Sequence, residues 1–342
     1  MIYRFEFRPY RRRFVRTVNT SHGKWDIRDG IILRLTNESG KFGWGEIAPI
    51  SWFGSETIEQ ALDFCRQLPA EITHETIFSI PDELPACQFG FESAREMCKE
   101  DAESERRGDA ENEIHEFPVS PRPRVPVSSY SALLPAGEAA LNQWQSLWEQ
   151  GYRTFKWKIG VNAIANELQI FELLTHTLPA DSKLRLDANG GLNYEEANLW
   201  LWTCDNLHAN SEIATEIEFI EQPLPVEQFQ EMLELSMFYG TAIALDESVA
   251  TLGQLIACYQ RGWREIFVIK PGIIGSPSQL RKFCQQHEID AVFSSVFETA
   301  IARQAALKLA AELSRNNRAV GFGIEHFFEQ EDTSFPSLWK NL

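Results

Sequence analysis

Cysteine is sparse in this chain: six in 342 residues, at positions 65, 87, 98, 204, 258 and 284. No two of them form C-x-x-C, and a chain this long builds a core without disulfide staples, so they read as buried free thiols in a reducing cytosol. The seven histidines make no H-E-x-x-H or other zinc spacing. Positive charge is short as well. A formal net charge of −17 leaves no basic footprint for nucleic acid; Arg8, Arg11, Arg12, Arg13 and Arg16 are a local exception that reads as a solvated strand face. No run reaches the roughly 18 apolar residues of a membrane span. The opening "MIYRFEFRPYRRRF" has arginines inside its apolar pattern and no small-residue cleavage site, so no secretory signal is expected. There is no G-x-S-x-G and no Walker A motif. "GWGEIA" (43–48) loosely resembles a dinucleotide fingerprint, but Pro49 follows where a helix should begin, which makes it a turn and strand.

What is present is ordinary globular composition, 44% hydrophobic and 24% charged, enough for one large domain and a smaller one. Residues 1–99 read as an α+β unit. "GIILRL" and "KFGWGEIA" flank "TNESG" as strand, turn and strand, and "SETIEQALDFCRQL" follows as a helix with Ser55 or Thr57 as its cap. Between 96 and 116 nine acidic residues face three basic ones, and "FPVSPRPRVP" closes the stretch. Residues 100–124 are therefore expected to be an exposed acidic insertion and a proline-stiffened linker.

From 125 to 324 the pattern repeats. Short apolar strands at 125–134, 154–160, 183–189, 218–223, 242–248, 265–272, 290–299 and 320–324 alternate with stretches suited to helices. Eight strands and seven helices in alternation predict a parallel α/β barrel; a doubly wound open sheet is the competitor, but no glycine-rich first turn favours it.

The strand ends carry the chemistry. Asp187, Glu221, Asp246 and Lys270 close successive strands and Lys158 sits near the end of "TFKWK". Each is separated from the next by roughly thirty residues, one βα unit, so all five fall on the barrel rim where active sites are built. Three converging carboxylates repel one another unless a cation neutralises them, and an all-oxygen set points to a hard metal, Mg²⁺ or Mn²⁺. A substrate carboxylate on that metal would have its α-proton acidified. Lys156 and Lys158 share a strand face, so a second ammonium beside Lys158 favours its neutral form and suits it as a base. Lys270 then supplies a cation over the opposite face.

"KWK", "RLDANGG", "EQP", "LDES" and "IKPG", in this order and spacing, resemble the enolase superfamily, closest to its subgroup with K-x-K on the second barrel strand. The resemblance spans essentially the whole chain. It implies a (β/α)7β parallel barrel with an α+β capping domain, to which a C-terminal tail, 325–342, returns. It further implies that Asp187, Glu221 and Asp246 bind Mg²⁺ with Arg185 and Asn189 in support. Arg185 lies on the strand face of Asp187; Glu247, facing the other way, is expected to fix the barrel or orient Lys270.

The superfamily runs racemisation, cycloisomerisation and dehydration on one kind of intermediate, so the fold alone does not select among them. The segments 20–35, 43–57 and 294–303 resemble its dehydratases of menaquinone and phylloquinone biosynthesis, which act on a small carboxylate, 2-succinyl-6-hydroxy-2,4-cyclohexadiene-1-carboxylate. That resemblance makes Lys158 both base and acid of a syn elimination and Lys270 a charge over the ring. Ser294, Ser295, Gly321 and Gly323 are expected at the succinyl end. Trp25, Trp52 and Phe53 read either as substrate contacts or as packing between cap and barrel. Two rivals stay open. An N-acylamino-acid racemase or dipeptide epimerase would use Lys158 and Lys270 as two bases, although "GFGIEHF" stands where dipeptide epimerases resemble one another in Asp-x-Asp. A non-catalytic barrel would have lost a ligand or a lysine, and every position is filled. The oligomeric state is not legible.

Overall fold

The computed structural model describes residues 1–20, 23–106, 129–208, 214–324, 327–329 and 335–342. The cap comprises β1 (Ile2–Thr20), β2 (Gly23–Asn37), β3 (Phe42–Ile47), α1 (Ile58–Gln67), β4 (Glu71–Thr73), α2 (His74–Phe78) and α3 (Pro85–Arg106). Its strands form an antiparallel sheet in the order β3-β2-β1-β4. Thr57 caps α1 through a reciprocal capping box with Gln60. "GWGEIA" is strand, as its proline suggested, and its glycines serve packing. A Cβ on Gly43 would strike the Ala94 carbonyl and one on Gly45 the Gly90 carbonyl, so only glycine lets α3 lie flat on β3. The boundary expected at residue 100 falls inside α3, because "EDAESER" consists largely of good helix formers and prolongs the helix. The remainder of the acidic and proline-rich stretch, 107–128, lies outside the described residues, as does His22.

The barrel strands are β5 (Ser131–Leu134), β6 (Thr154–Lys158), β7 (Lys183–Asp187), β8 (Glu216–Glu221), β9 (Ile243–Leu245), β10 (Ile266–Ile269) and β11 (Asp290–Phe293). They pair in parallel in chain order. The helices between and after them are α4 (Ala140–Glu149), α5 (Ile164–Thr177), α6 (Tyr194–His208), α7 (Phe229–Phe238), α8 (Leu252–Gln260), the short α9 (Pro271–Ile274), α10 (Pro277–Gln286) and α11 (Ala300–Leu313). The eighth strand expected at 320–324 is reduced to two isolated parallel bridges, Tyr130 with Val320 and Ser294 with Gly321. Those two bridges join the first and seventh barrel strands through one short segment and close the sheet.

Strand alternation sorts the side chains. Phe155 and Trp157 of β6 and Leu184 and Leu186 of β7 join the large core under the helices, with Trp157 edge-on to Trp200 of α6. Inside the barrel, Phe219, Ala244, Ile266, Val268 and Val292 pack together. Beside them runs an ionic chain, buried at Arg185 and Glu218 and half-buried beyond: Arg185 donates to Glu218 (2.6 Å), Glu218 accepts from Arg318 (2.8 Å), and Arg318 also pairs with Asp290. The last helix, α12 (Phe335–Asn341), returns to the cap, where Trp339 packs on Trp44 and Arg8 lies 4.4 Å over its ring. Arg12 likewise lies 3.8 Å over Phe328. Arg8 and Arg12 are thus half-buried against the C-terminal segment, a correction to the solvated face expected for all five arginines, because they share the strand face of Tyr10 and Phe14. All six cysteines are buried free thiols. No helix among the described residues is long and apolar enough to cross a membrane.

Candidate active site at the barrel rim

The β6–β7 register sets Lys156 opposite Arg185 and Lys158 opposite Asp187, and the β7–β8 register sets Asp187 opposite Glu221. Asp246 and Lys270 stand one residue past β9 and β10. The five rim residues expected from sequence therefore meet at one mouth. Lys156 Nζ lies 2.9 Å from Asp187 Oδ2 and 2.8 Å from Glu221 Oε1. Lys270 pairs with Asp246 Oδ1. Lys158 makes no hydrogen bond or ion pair with any described residue, so its Nζ is uncommitted.

Burial governs the charges here. It opposes the ammonium of Lys156, but the facing Asp187 and Glu221 outweigh it and hold this lysine charged well above the ordinary lysine range. Burial raises Glu221, against the pull of Lys156, and raises Asp246, against the pull of Lys270. Glu247 is raised by burial and then by the negative charge of Asp187. One Glu247 oxygen, Oε2, is buried with no hydrogen-bond partner. Among the described residues no three His, Cys, Asp or Glu side chains converge in ligating geometry; Lys156 and Lys270 take up oxygens of the three acids instead. The donor chemistry nevertheless fits a hard dication: buried carboxylates only, two of them pushed towards protonation, and an orphaned acceptor beside them.

Asn189 supports this rim. Its N–H donates to Asp187 Oδ1 (3.1 Å) and its amide donates to Glu247 Oε1 (3.2 Å). Glu247 therefore turns towards the acids, not away from them as expected. β9 stops at Leu245 and residues Glu247–Val249 form a 3-10 turn, so strand alternation no longer sets the direction of Glu247. Arg185 also departs from expectation. It shares the face of Asp187, but its hydrogen bond runs down the barrel to Glu218, three residues before the rim residue Glu221 on β8. Gln222, which sequence reading passed over, is fully buried at φ +39°. Its Oε1 accepts from the N–H groups of Asp246 (3.0 Å) and Ser248 (3.1 Å), and its amide donates to Ser248 Oγ (2.8 Å). That side chain fixes the turn carrying Asp246 and Glu247.

Above the rim, Ser294 and Ser295 separate as strand alternation requires. Ser294 follows Val292 on the inner face and packs against Gly321, where any Cβ would meet its Oγ at 2.6 Å. Ser295 Oγ donates to Glu298 Oε2 (2.7 Å) and accepts from Phe297 N–H (2.9 Å), so it holds its own loop. A Cβ on Gly323 would meet the Ser131 carbonyl at 2.9 Å and the Tyr152 ring. Phe53 reaches from the cap with its ring 4.0 Å from Lys270 Nζ. Trp25 contacts Trp52 at 5.6 Å, and Trp52 contacts Phe53 at 6.1 Å. The roof also contains residues the sequence did not flag. Phe297, at φ +60°, sets its ring edge-on to Phe14, Trp25 and Phe327. Its only sequence signal was a place in "SSVFETAIAR".

The profile described as Enolase C-terminal domain-like matches residues 139–340, and the one described as MenC, N-terminal domain matches residues 7–98. The o-succinylbenzoate synthase of Thermosynechococcus vestitus is 38% identical over 347 residues, covering 99% of this chain and 99% of that relative. The crystal structure of o-succinylbenzoate synthase from Thermosynechococcus elongatus BP-1, complexed with Mg in the active site, superposes with a TM-score of 0.84 at 37% identity, covering 99% of this chain and all (100%) of that one. The L-Ala-D/L-Glu epimerase of Bacillus subtilis shares the fold, with a TM-score of 0.73 at 21% identity over 97% of this chain and 92% of that one.

Proposed function

The chain belongs to the o-succinylbenzoate synthase family of the enolase superfamily, and from that premise we propose that it is a Mg²⁺-dependent hydro-lyase of menaquinone or phylloquinone biosynthesis. It converts 2-succinyl-6-hydroxy-2,4-cyclohexadiene-1-carboxylate to 2-succinylbenzoate. Its working compartment is the cytoplasm, a reading supported by the buried free thiols.

Asp187, Glu221 and Asp246 would hold the cation, with Asn189 and Gln222 fixing two of the three. When bound, the cation supplies charge that offsets the substrate carboxylate and acidifies the neighbouring C–H bond. Lys158 takes that proton from ring carbon 1. The C6–O bond then breaks, the electron pair of the former C–H bond becomes the C1–C6 double bond, and Lys158 returns the proton to the departing hydroxyl as water. Aromatisation drives the step. Lys156 stays charged and fixes Asp187 and Glu221 in place. Lys270, between Asp246 and the Phe53 ring, offers a stationary positive charge to the opposite face of the ring.

The observation that carries this reading is the contrast among the three lysines: two are committed to carboxylates and one, Lys158, is not. The test is ultraviolet detection of the aromatic product from the cyclohexadiene acid with Mg²⁺, with excess chelator and after Mg²⁺ is restored, run beside deuterium exchange of an N-succinylamino acid. Fast, chelator-sensitive aromatisation with slow exchange is expected. Rapid exchange at both enantiomers with no aromatisation would assign the chain to the racemases instead.

A further inference from the structure

Arg28, on β2, has no place in the chemistry above, yet it bonds to segments on both sides of the roof, in the cap and in the loop after β11. The residue is 2% exposed, and its guanidinium makes no ion pair with any described residue. Four backbone carbonyls hold it instead. Nε donates to Val296 (3.0 Å), Nη1 to Asp29 (2.8 Å) and Pro49 (2.8 Å), and Nη2 to Ala48. Its Cζ also lies 5.4 Å from the Trp25 ring centroid.

These partners belong to three separate segments. Ala48 and Pro49 begin the turn whose next residues, Ser51–Phe53, carry Trp52 and the Phe53 ring over Lys270. Val296 lies in the barrel loop between Ser295 and Phe297, and that loop is braced by Glu298, which accepts from the Val296 N–H (2.6 Å) and the Ser295 hydroxyl. Trp25 meets both Trp52 and Phe297. One side chain thus ties the cap turn, the cap strand and the loop after β11 into a single wall.

We infer that Arg28 is a latch between cap and barrel, a positioning residue that assembles the specificity wall of Trp25, Trp52, Phe53 and Phe297 without touching substrate. Only a planar fork reaches three carbonyl directions at once. A lysine keeps the charge and loses the geometry. The wall contacts the part of the substrate remote from Lys158, so its loss weakens ground state and transition state alike and appears in KM. Lys270 keeps Asp246 as its partner without Phe53, so the rate of the bound complex changes less.

The inference rests on the dehydratase reading, and wild-type turnover tests that reading by itself. The latch is tested with Arg28→Lys and Arg28→Ala in the full chain. Expected for Arg28→Lys is a KM raised at least about tenfold with kcat within about threefold of wild type. Amide exchange should accelerate at 48–54 and 294–299 and stay unchanged in β6 and β7. For Arg28→Ala, guanidinium at a low, non-denaturing concentration should recover part of the lost KM; if this variant does not fold, Arg28→Lys carries the test through its kinetics and exchange. An unchanged KM, a fall confined to kcat, or exchange unaltered at the two loops would overturn the latch.

Discussion

Glu218 shows how a single residue holds both strength and vulnerability in this barrel. Burial works to raise its carboxyl, but Arg185 and Arg318 outweigh that and keep it below the usual glutamate range. A carboxyl depressed on folding contributes stability that is fully present above the unfolded value, about 4.3, and is lost as pH falls through the folded value. Glu218→Gln leaves the Arg185 guanidinium buried without its counter-charge, which costs roughly 3–5 kcal/mol. Thermal melting from pH 7 to pH 3 should show the variant less stable at neutral pH and less sensitive to acid than wild type. An acid limb as steep as that of wild type would place the sensitivity elsewhere. Residue by residue, the rim was legible in sequence because period-2 alternation fixes sides: Lys156 and Lys158 inward, Phe155 and Trp157 outward. Glu247 was misread because the rule was extended two residues past the end of β9, into a turn. Arg28 and Phe297 were missed for a different reason. Each joins segments far apart in the chain, Arg28 to Val296 and Phe297 to Phe14 and Trp25, and no local period encodes such contacts.

At the scale of elements, the glycines separate packing from propensity. Gly45 lies where β3 meets α3, and a Cβ there would run into the Gly90 carbonyl and come within 3.1 Å of Ala94 Cβ. Because backbone must move, Gly45→Ala should destabilise by roughly 1–3 kcal/mol. Gly253, in the first turn of α8, has its nearest foreign atom, Thr251 Oγ1, at 4.0 Å. Gly253→Ala should stabilise by up to about 1 kcal/mol through helix propensity alone. Urea unfolding of both variants, compared at equal m-value, checks the pair; the same sign for both would contradict it. The eighth strand belongs to this scale too. Its apolar run marked the segment correctly, but Gly321 and Gly323 sit against Ser294 and the Ser131 carbonyl. That close approach shortens the ladder to single bridges, which hydrophobicity does not report.

For the whole molecule, the cap is a working part of the site. We propose that residues 1–106 and the tail form one unit with the barrel as the other, a division supported by α12 seated on Trp44 and by the bridge of Phe14 with Phe328. Glu46 of β3 joins the two units directly. It accepts from Thr299 N–H, Ala302 N–H and the Tyr10 hydroxyl (2.6 Å), capping α11 from across the boundary. Order along the chain led to the expectation of two units, but the joint between them rests on pairs such as Glu46 with Thr299 that only the closed barrel brings together.

Lys158 is where the account is most exposed. The most direct measurement is the aromatisation rate of Lys158→Ala beside wild type at saturating substrate and Mg²⁺. Because Lys158 has no partner among the described residues, the variant should melt at the wild-type temperature. In the proposed mechanism one residue makes both proton transfers, so turnover should fall by more than the roughly 10²–10⁴-fold typical of a single general base. A folded Lys158→Ala that retains turnover within about tenfold of wild type would contradict the assignment of this lysine, and with it the mechanism.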